Sequence, residues 1–284
     1  MRIAVAGSEG FIGQHVCALL TQKGYDIVPI DIINGTDLCH DSIVDEVPAI
    51  DSFIHLANLG NVQASYNNPV QYYRANYLAT LNALEICRRH QARFIYASSS
   101  YVYGIPQYLP IDENHPLCST NPYAQTKLIC ERLCQGYNRD FGVKVSILRP
   151  FNIYGIGQKG MALIPEIVEQ LKEDKQQILL KNPIPKRDYV NVTDAAAAFV
   201  RCTQDNNDYC AYNICSGKSI SVKQITELIN KHLKKKVVFN FQEQGESNPA
   251  DEIRGCNKKL KKTGWKPIKT FEQGIIEILN AHDL

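Results

Sequence analysis

No run of apolar residues in this sequence is long enough to cross a lipid bilayer, and neither sign of charge dominates it. A membrane-spanning helix needs about 20 consecutive apolar residues, so no membrane partner is expected. The formal net charge of +2 over 284 residues argues against a large nucleic-acid footprint. Lysine runs at 234–236 and 258–262 are typical of a solvated face. The first residues, RIAVAG after Met1, resemble a strand and not a signal peptide, which favours a cytoplasmic location.

The sequence also lacks the paired Cys-x-x-Cys clusters that bind metals. Its ten cysteines are scattered, and no second Cys or His pair accompanies Cys130 and Cys134. In a reducing compartment such residues are free thiols that pack mostly as small apolar side chains. No metal site is therefore expected.

Strand-like and helix-like segments alternate through the first half of the chain. Such alternation predicts an α/β fold with a doubly wound parallel sheet and helices on both faces. The first domain is predicted to cover residues 1–152. Residues 153–284 have a mixed pattern, with an irregular segment KNPIPKRDYV at 181–190. They are predicted to form a smaller C-terminal substrate-binding lobe, with some segments returning to pack on the first domain.

The first strand runs directly into GSEGFIG, which places glycines at positions 7, 10 and 13. Between a strand and a helix, such glycines permit a tight turn and bring a pyrophosphate close to the helix N-terminus. The second strand ends in Asp31, whose carboxylate can accept hydrogen bonds from a ribose 2′-hydroxyl and would repel a 2′-phosphate. The pattern predicts a dinucleotide site that prefers NAD to NADP.

The stretch NPYAQTKLI at 121–129 places Tyr123 four residues before Lys127 at the start of a predicted helix. Residues four apart share a helix face, so the phenol and the ammonium can meet. A nearby positive charge favours the ionised phenol, which a tyrosine acting as a base at neutral pH requires.

Several motifs occur in the order found in one family: GSEGFIG, HLA at 55–57, YYRANYLAT at 72–80, SSSYVYG at 98–104, Tyr123 with Lys127, LRPFNIYG at 148–155, RDYVNVTD at 187–194 and TGWKP at 263–267. The chain resembles the extended short-chain dehydrogenases/reductases, specifically the NAD-dependent epimerase/dehydratase group that acts on nucleotide sugars. This resemblance implies a Rossmann-type sheet. It also implies cofactor contacts at Gly7, Gly10, Phe11, Ile12, Gly13, Asp31, Asp37, Leu38, Leu56, Ala57, Asn76, Tyr123, Lys127 and Pro150.

The same resemblance assigns the catalytic and substrate residues. Tyr123 is the expected acid/base, and Lys127 tunes it and holds the nicotinamide ribose. Ser99 is the expected third catalytic member, with Ser98 and Ser100 as alternatives. The substrate, a nucleotide-diphosphate sugar, is expected to contact Ser99, Tyr101, Asn152, Arg187 and Arg254. His55 is interpreted as structural.

Two departures from the family pattern reduce the number of reactions that the enzyme is expected to catalyse. Related 4,6-dehydratases carry an Asp-Glu pair where this chain has Ser100 and Tyr101, so dehydration is disfavoured. The short segment between Asp31 and Asp37 is a feature of 4-keto-sugar reductases. We expect a nucleotide-sugar 4-epimerase that works through a transient 4-keto sugar. The alternatives are an NAD(P)H-dependent 4-keto-6-deoxy-sugar reductase and, more remotely, a non-catalytic NAD-sensing protein.

Oligomerisation is predicted from the helices around 76–89 and 123–137, which pair across a two-fold axis in similar enzymes. Leu128, Cys130 and Leu133 are the apolar candidates for such a homodimer interface.

Overall fold

The computed structural model describes residues 1–160, 162–173, 175–242 and 251–284. The strands are β1 (Arg2–Ala6), β2 (Asp26–Ile30), β3 (Ser52–His55), β4 (Arg93–Ala97), β5 (Val145–Pro150), β6 (Asn152–Tyr154), β7 (Gln177–Leu180), β8 (Lys186–Asn191), β9 (Tyr209–Ile214), β10 (Ser219–Ser221), β11 (Val238–Phe241) and β12 (Glu252–Ile253). The helices are α1 (Phe11–Gln22), α2 (Ile43–Glu46), α3 (Val62–Asn67), α4 (Pro69–His90), α5 (Pro122–Phe141), α6 (Leu163–Lys172), α7 (Val192–Cys202), α8 (Val222–His232), α9 (Lys258–Lys261) and α10 (Phe271–Ala281).

The central sheet has six parallel strands in the order β2-β1-β3-β4-β5-β9. Strands β1, β3 and β4 are almost entirely buried, as expected of parallel strands that are covered on both faces. The predicted doubly wound α/β fold is confirmed. The strand order reverses between β1 and β3, and ligands of such sheets bind at this point, beyond the carboxyl ends of the strands.

Helices cover both faces of the sheet. On one face, α2, α4 and α5 pack against the sheet around a core that includes Phe53, Phe94 and Tyr96. On the other face, α1 and α7 pack on each other and on the sheet around Val16, Leu20 and Phe199. Strand β9 and helix α7 lie in the second half of the chain, so that half contributes directly to the central three layers.

The remaining C-terminal elements form a smaller lobe. Strands β6, β10 and β12 each pair with β8, and β7 pairs with β11. Helices α6, α8 and α10 share a separate apolar core. The prediction of an irregular segment at 181–190 is wrong for its second half, because β8 begins at Lys186. Pairing of β8 with β6, β10 and β12 supplies hydrogen bonds that the local sequence does not reveal.

Three further observations concern membranes, metals and thiols. Within the described residues, no helix is both long and apolar enough to cross a membrane. The same part of the chain contains no cluster of three or more His, Cys, Asp or Glu side chains that could hold a metal ion. All ten cysteines are free, and five of them are buried.

Candidate cofactor and active site

The glycine loop between β1 and α1 is too tight for side chains. Gly7 has a φ of +78°, and a Cβ there would lie 2.7 Å from the backbone N of Ala57. A Cβ on Gly13 would lie 1.9 Å from the Gly7 carbonyl oxygen. The loop therefore packs directly on the residues that follow β3, at the reversal point of the sheet.

The residues of this loop fit a dinucleotide. Gly10 caps α1 without any side-chain hydrogen bond, so the N–H groups of the first turn, from Phe11 onward, remain available to a pyrophosphate. Ser8 is buried, and its hydroxyl has no hydrogen-bond partner among the described residues. An open cradle with spare donors is what an anionic group at a helix N-terminus requires.

Asp31 lies at the end of β2 beside the glycine loop. Its Oδ1 accepts a hydrogen bond from the Ile33 backbone N at 3.1 Å, and its Oδ2 accepts one from the Glu9 backbone N at 3.0 Å. Each carboxylate oxygen can accept a further bond, so the group can still receive ribose hydroxyls. Asp37 and Leu38 follow in the same loop: Asp37 accepts from Cys39 N, and the Leu38 carbonyl accepts from Asn82.

Leu56 and Ala57 follow β3 and are held against β1, since Leu56 N donates to the Ala6 carbonyl at 2.9 Å. Asn76, which is buried on α4, accepts from Leu59 N at 2.8 Å and donates to Thr126 Oγ1 at 2.9 Å. This one side chain thus ties the loop after β3 to the helix that carries Tyr123 and Lys127.

Ser99, Tyr123 and Lys127 meet beyond the carboxyl end of β4. Ser99 follows β4; its hydroxyl accepts from Tyr101 N at 3.2 Å and lies near enough to the Tyr123 phenol to favour its ionised form. Lys127 is buried; its Nζ lies 5.9 Å from the centre of the Tyr123 ring and donates to the Ala97 carbonyl at 2.7 Å. The helix begins cleanly because Asn121 accepts from Ala124 N and Pro122 occupies the first turn.

Burial shifts both titrating groups toward their neutral forms. It raises the pKa of Tyr123 to about 12, although the Ser99 hydroxyl opposes this shift. It lowers the pKa of Lys127 to about 8. Additional positive charge beside the phenol, such as an oxidised nicotinamide ring, would lower the pKa of Tyr123 toward the working range.

The two alternative serines differ from Ser99 in their contacts. The hydroxyl of Ser98 is buried and donates to Glu131, which also accepts from Arg149 Nε at 2.9 Å and Nη2 at 2.6 Å. Ser100 is the first residue of a short 3₁₀ turn, Ser100–Tyr103. Sequence reasoning missed Glu131, although its position four residues after Lys127 placed it on the same helix face.

The residues expected to bind substrate lie around β6, β8 and β12. Tyr101 is 46% exposed, and its ring centre lies 6.3 Å from that of Tyr123. Asn152 begins β6 opposite Tyr189 of β8, two residues beyond Arg187. Ile253 is the register partner of Arg187, and Arg254 follows it. Pro150 ends β5, beside Ile214 of β9.

Backbone and carboxylate groups hold the two arginines in place. Arg187 donates to the Asp251 carbonyl at 2.9 Å, and Arg254 Nε donates to Glu252 Oε1 at 3.2 Å. The buried Asp188, next to Arg187 in β8, accepts hydrogen bonds from Ser216 N and Oγ, Gly217 N and Gly255 N. Asp188 therefore fixes the position of β8 relative to the segment that carries Arg254.

His55 is enclosed in the core beneath the site and is held in its neutral form. It is buried between aromatic rings, its Nε2 lies 3.2 Å from Thr80 Oγ1, and burial lowers its pKa to about 3. The structural interpretation of this residue agrees with these contacts.

Together, a dinucleotide cradle and a Ser-Tyr-Lys group on a Rossmann-type sheet define a nucleotide-dependent enzyme. The chain belongs to the NAD dependent epimerase/dehydratase family, whose model matches residues 3–215. The predicted family and the predicted use of NAD are thereby confirmed.

Two similar proteins and one similar solved structure show the range of the family. A putative UDP-glucose 4-epimerase of Methanocaldococcus jannaschii is 31% identical over 98% of this chain and 97% of the relative. The GDP-6-deoxy-D-mannose reductase of Pseudomonas aeruginosa is also 31% identical, over 98% of this chain and 96% of the relative. The structure of RMD from Pseudomonas aeruginosa complexed with NADPH has a TM-score of 0.89 and 27% identity, over 99% of this chain and 98% of that one.

Proposed function

We propose that this protein is an NAD-dependent nucleotide-sugar 4-epimerase, resembling UDP-glucose 4-epimerase and working through a transient 4-keto sugar. One observation carries the proposal. The Ser99 hydroxyl, the Tyr123 phenol and the Lys127 ammonium converge beyond the end of β4, with uncharged Ser100 and Tyr101 where dehydration would need carboxylates.

The proposed roles follow from the positions of these groups. Tyr123 takes the proton from the C4 hydroxyl of the sugar and returns it, and Ser99 bridges the phenol and that oxygen. Lys127 supplies positive charge near the phenol and binds the nicotinamide ribose. NAD, when bound, supplies reversible hydride acceptance. The glycine loop, Asp31 and Asn76 are the proposed supports of the cofactor.

The proposed substrate is a nucleotide-diphosphate sugar. Arg187 and Arg254 place two guanidinium groups on neighbouring segments of the C-terminal lobe, and their planar donor forks suit phosphate oxygens. Asn152 lies on the strand next to Arg187 and offers amide hydrogen bonds. The residues from 153 onward are accordingly proposed as the main substrate lobe.

A second candidate is a 4-keto-6-deoxy-sugar reductase that uses the same three residues, with Tyr123 as the acid. The 31% identical GDP-6-deoxy-D-mannose reductase and the short segment between Asp31 and Asp37 favour it. The two functions differ in their use of cofactor: an epimerase retains its NAD, whereas a reductase consumes one reduced cofactor per product.

The test is a panel of UDP- and GDP-sugars incubated with the purified protein, with products resolved by chromatography and NMR. Interconversion of C4 epimers without net cofactor change supports the epimerase. Stoichiometric oxidation of NADH or NADPH with a 4-keto sugar supports the reductase. Tyr123→Phe is expected to lower turnover at least about 10²-fold while NAD still binds. Tyr25→Phe is a matched control, because Tyr25 directly precedes β2 and so lies at the amino ends of the parallel strands, away from the carboxyl ends where the site lies.

We further propose a homodimer formed through α4 and α5. Val70, Tyr73 and Tyr77 of α4 and Phe141 at the end of α5 are exposed apolar side chains. Cys130 is unsuitable for this interface because it is fully buried and its thiol donates to the Asn76 carbonyl. Light scattering at micromolar concentration should give twice the chain mass, and Tyr77→Asp should shift the protein toward the monomer. A monomeric wild type would contradict the proposal.

A further inference from the structure

A second carboxylate lies beside Asp31. Glu9, within the glycine loop, has its backbone N bonded to Asp31 Oδ2 at 3.0 Å. Its side-chain Oε1 accepts a hydrogen bond from Asn34 Nδ2 at 3.2 Å, three residues beyond Asp31. Two carboxylates from different loops thus lie at the same end of the candidate cofactor site.

Glu9 is held at its backbone and at its side chain. Besides the bonds to Asp31 and Asn34, its carbonyl oxygen accepts from Gln14 Nε2 at 3.0 Å. The Glu9 side chain is therefore fixed toward the loop after β2, unlike a freely moving surface glutamate. Across the described ranges of the chain, neither Glu9 nor Asp31 forms an ion pair with a basic side chain, so the two negative charges are not neutralised.

We propose that Glu9 is a second determinant of cofactor specificity, which acts with Asp31 to exclude a 2′-phosphorylated dinucleotide. The inference rests on the proposed cofactor site at the glycine loop and Asp31. A ribose with a free 2′-hydroxyl can donate to a carboxylate, whereas a 2′-phosphate brings further negative charge to two unneutralised acids. Glu9 adds its repulsion without needing to contact the ribose itself, since Coulomb forces act over several ångströms.

Because the two carboxylates come from different loops, their effects on NADP affinity can be separated by substitution. Replacing Asp31 alone leaves the Glu9 charge in place, so NADP should remain disfavoured in Asp31→Asn. Replacing both charges should bring the two affinities close together. Glu9→Gln keeps the acceptor oxygen for Asn34 and changes only the charge.

The experiment measures the dissociation constants of NAD and NADP by calorimetry on cofactor-free protein. The proteins compared are wild type, Glu9→Gln, Asp31→Asn, the double variant, and Glu46→Gln, which removes an exposed carboxylate from the end of α2 and controls for net charge. Glu9→Gln is expected to tighten NADP binding about tenfold and to change NAD binding less than about threefold. The gain should shrink between about 50 and 500 mM salt, because salt screens exposed charges.

An unchanged NAD-to-NADP ratio in Glu9→Gln, with NAD binding intact, would overturn this inference and leave the proposed function standing. An equal gain in Glu46→Gln would also overturn it, because the effect would then reflect net charge alone. Failure of the wild type to bind either dinucleotide would instead remove the proposed function, and the inference with it.

Discussion

Replacing Arg149 by methionine should destabilise the protein strongly, because it leaves a buried carboxylate without its cation. The side chains of Arg149 and Glu131 are only 6% and 4% exposed. Arg149 gives Glu131 two hydrogen bonds, at 2.9 and 2.6 Å, and gives the Tyr103 hydroxyl a third at 3.0 Å. In the variant, the Ser98 hydroxyl is the one donor to the Glu131 side chain that remains among the described residues.

The expected cost is about 3–5 kcal/mol, the usual range for removing one partner of a buried ion pair. That is a large fraction of a total stability of roughly 5–15 kcal/mol. With a urea dependence of about 3 kcal/mol/M, the midpoint of unfolding should fall by at least about 1 M. Urea titration followed by circular dichroism measures this directly.

Removing both charges should be less harmful than removing Arg149 alone. The double variant Glu131→Leu and Arg149→Met places apolar groups in a buried site, and such replacements of ion pairs are often tolerated. Arg139→Met, at an exposed pair with Asp140, is the surface control and should leave the midpoint unchanged. The reasoning is refuted if the double variant loses the sum of the two single losses within about 0.5 kcal/mol.

Three other changes test separate parts of the structure. Lys127→Ala should lower turnover and also weaken NAD binding, measured by steady-state kinetics and calorimetry, because the ammonium is proposed to serve both the phenol and the ribose. Gly13→Ala should weaken NAD binding at least about tenfold, since its Cβ would overlap the Gly7 carbonyl, whereas Gly136→Ala, in open space on α5, should not. Burial raises the pKa of Asp188 to about 6 from 3.8, so the folded state binds this proton more tightly than the unfolded state. Wild type should therefore lose stability relative to Asp188→Asn as pH rises from about 4 to about 6, and a slope of the opposite sign in urea unfolding would contradict this.

The elements that sequence reasoning predicted are those with a local signal. Helix α5 has Asn121 and Pro122 at its start, and its period of 3.6 residues places Tyr123 and Lys127 on one face. The parallel direction of β1 to β5 follows from the alternation of buried strands and helices along the chain. Strand β8 has no comparable signal, because prolines and charges surround it and its stability comes from three partner strands distant in sequence.

Within the site, too, features with a local sequence signal could be predicted and features that depend on tertiary contacts could not. The contacts of Glu131 could not be predicted from local patterns, because its partner Ser98 follows β4 and its partner Arg149 lies in β5, and the two meet only in the folded sheet. Glu9 was visible inside the glycine motif, but its relation to Asp31 depends on how the loop after β1 packs beside the end of β2. Both cases require tertiary contacts that local patterns do not contain.

The position of β9 has a consequence for synthesis on the ribosome. Strand β9 pairs with β5 along its whole length. It begins only at Tyr209, however, so β6, β7, β8 and about three-quarters of the chain are synthesised before it. Until then, the nascent sheet presents the bare edge of β5, with unpaired backbone groups that can pair with another chain. Slow or interrupted translation before residue 214 should therefore expose the growing polypeptide to aggregation.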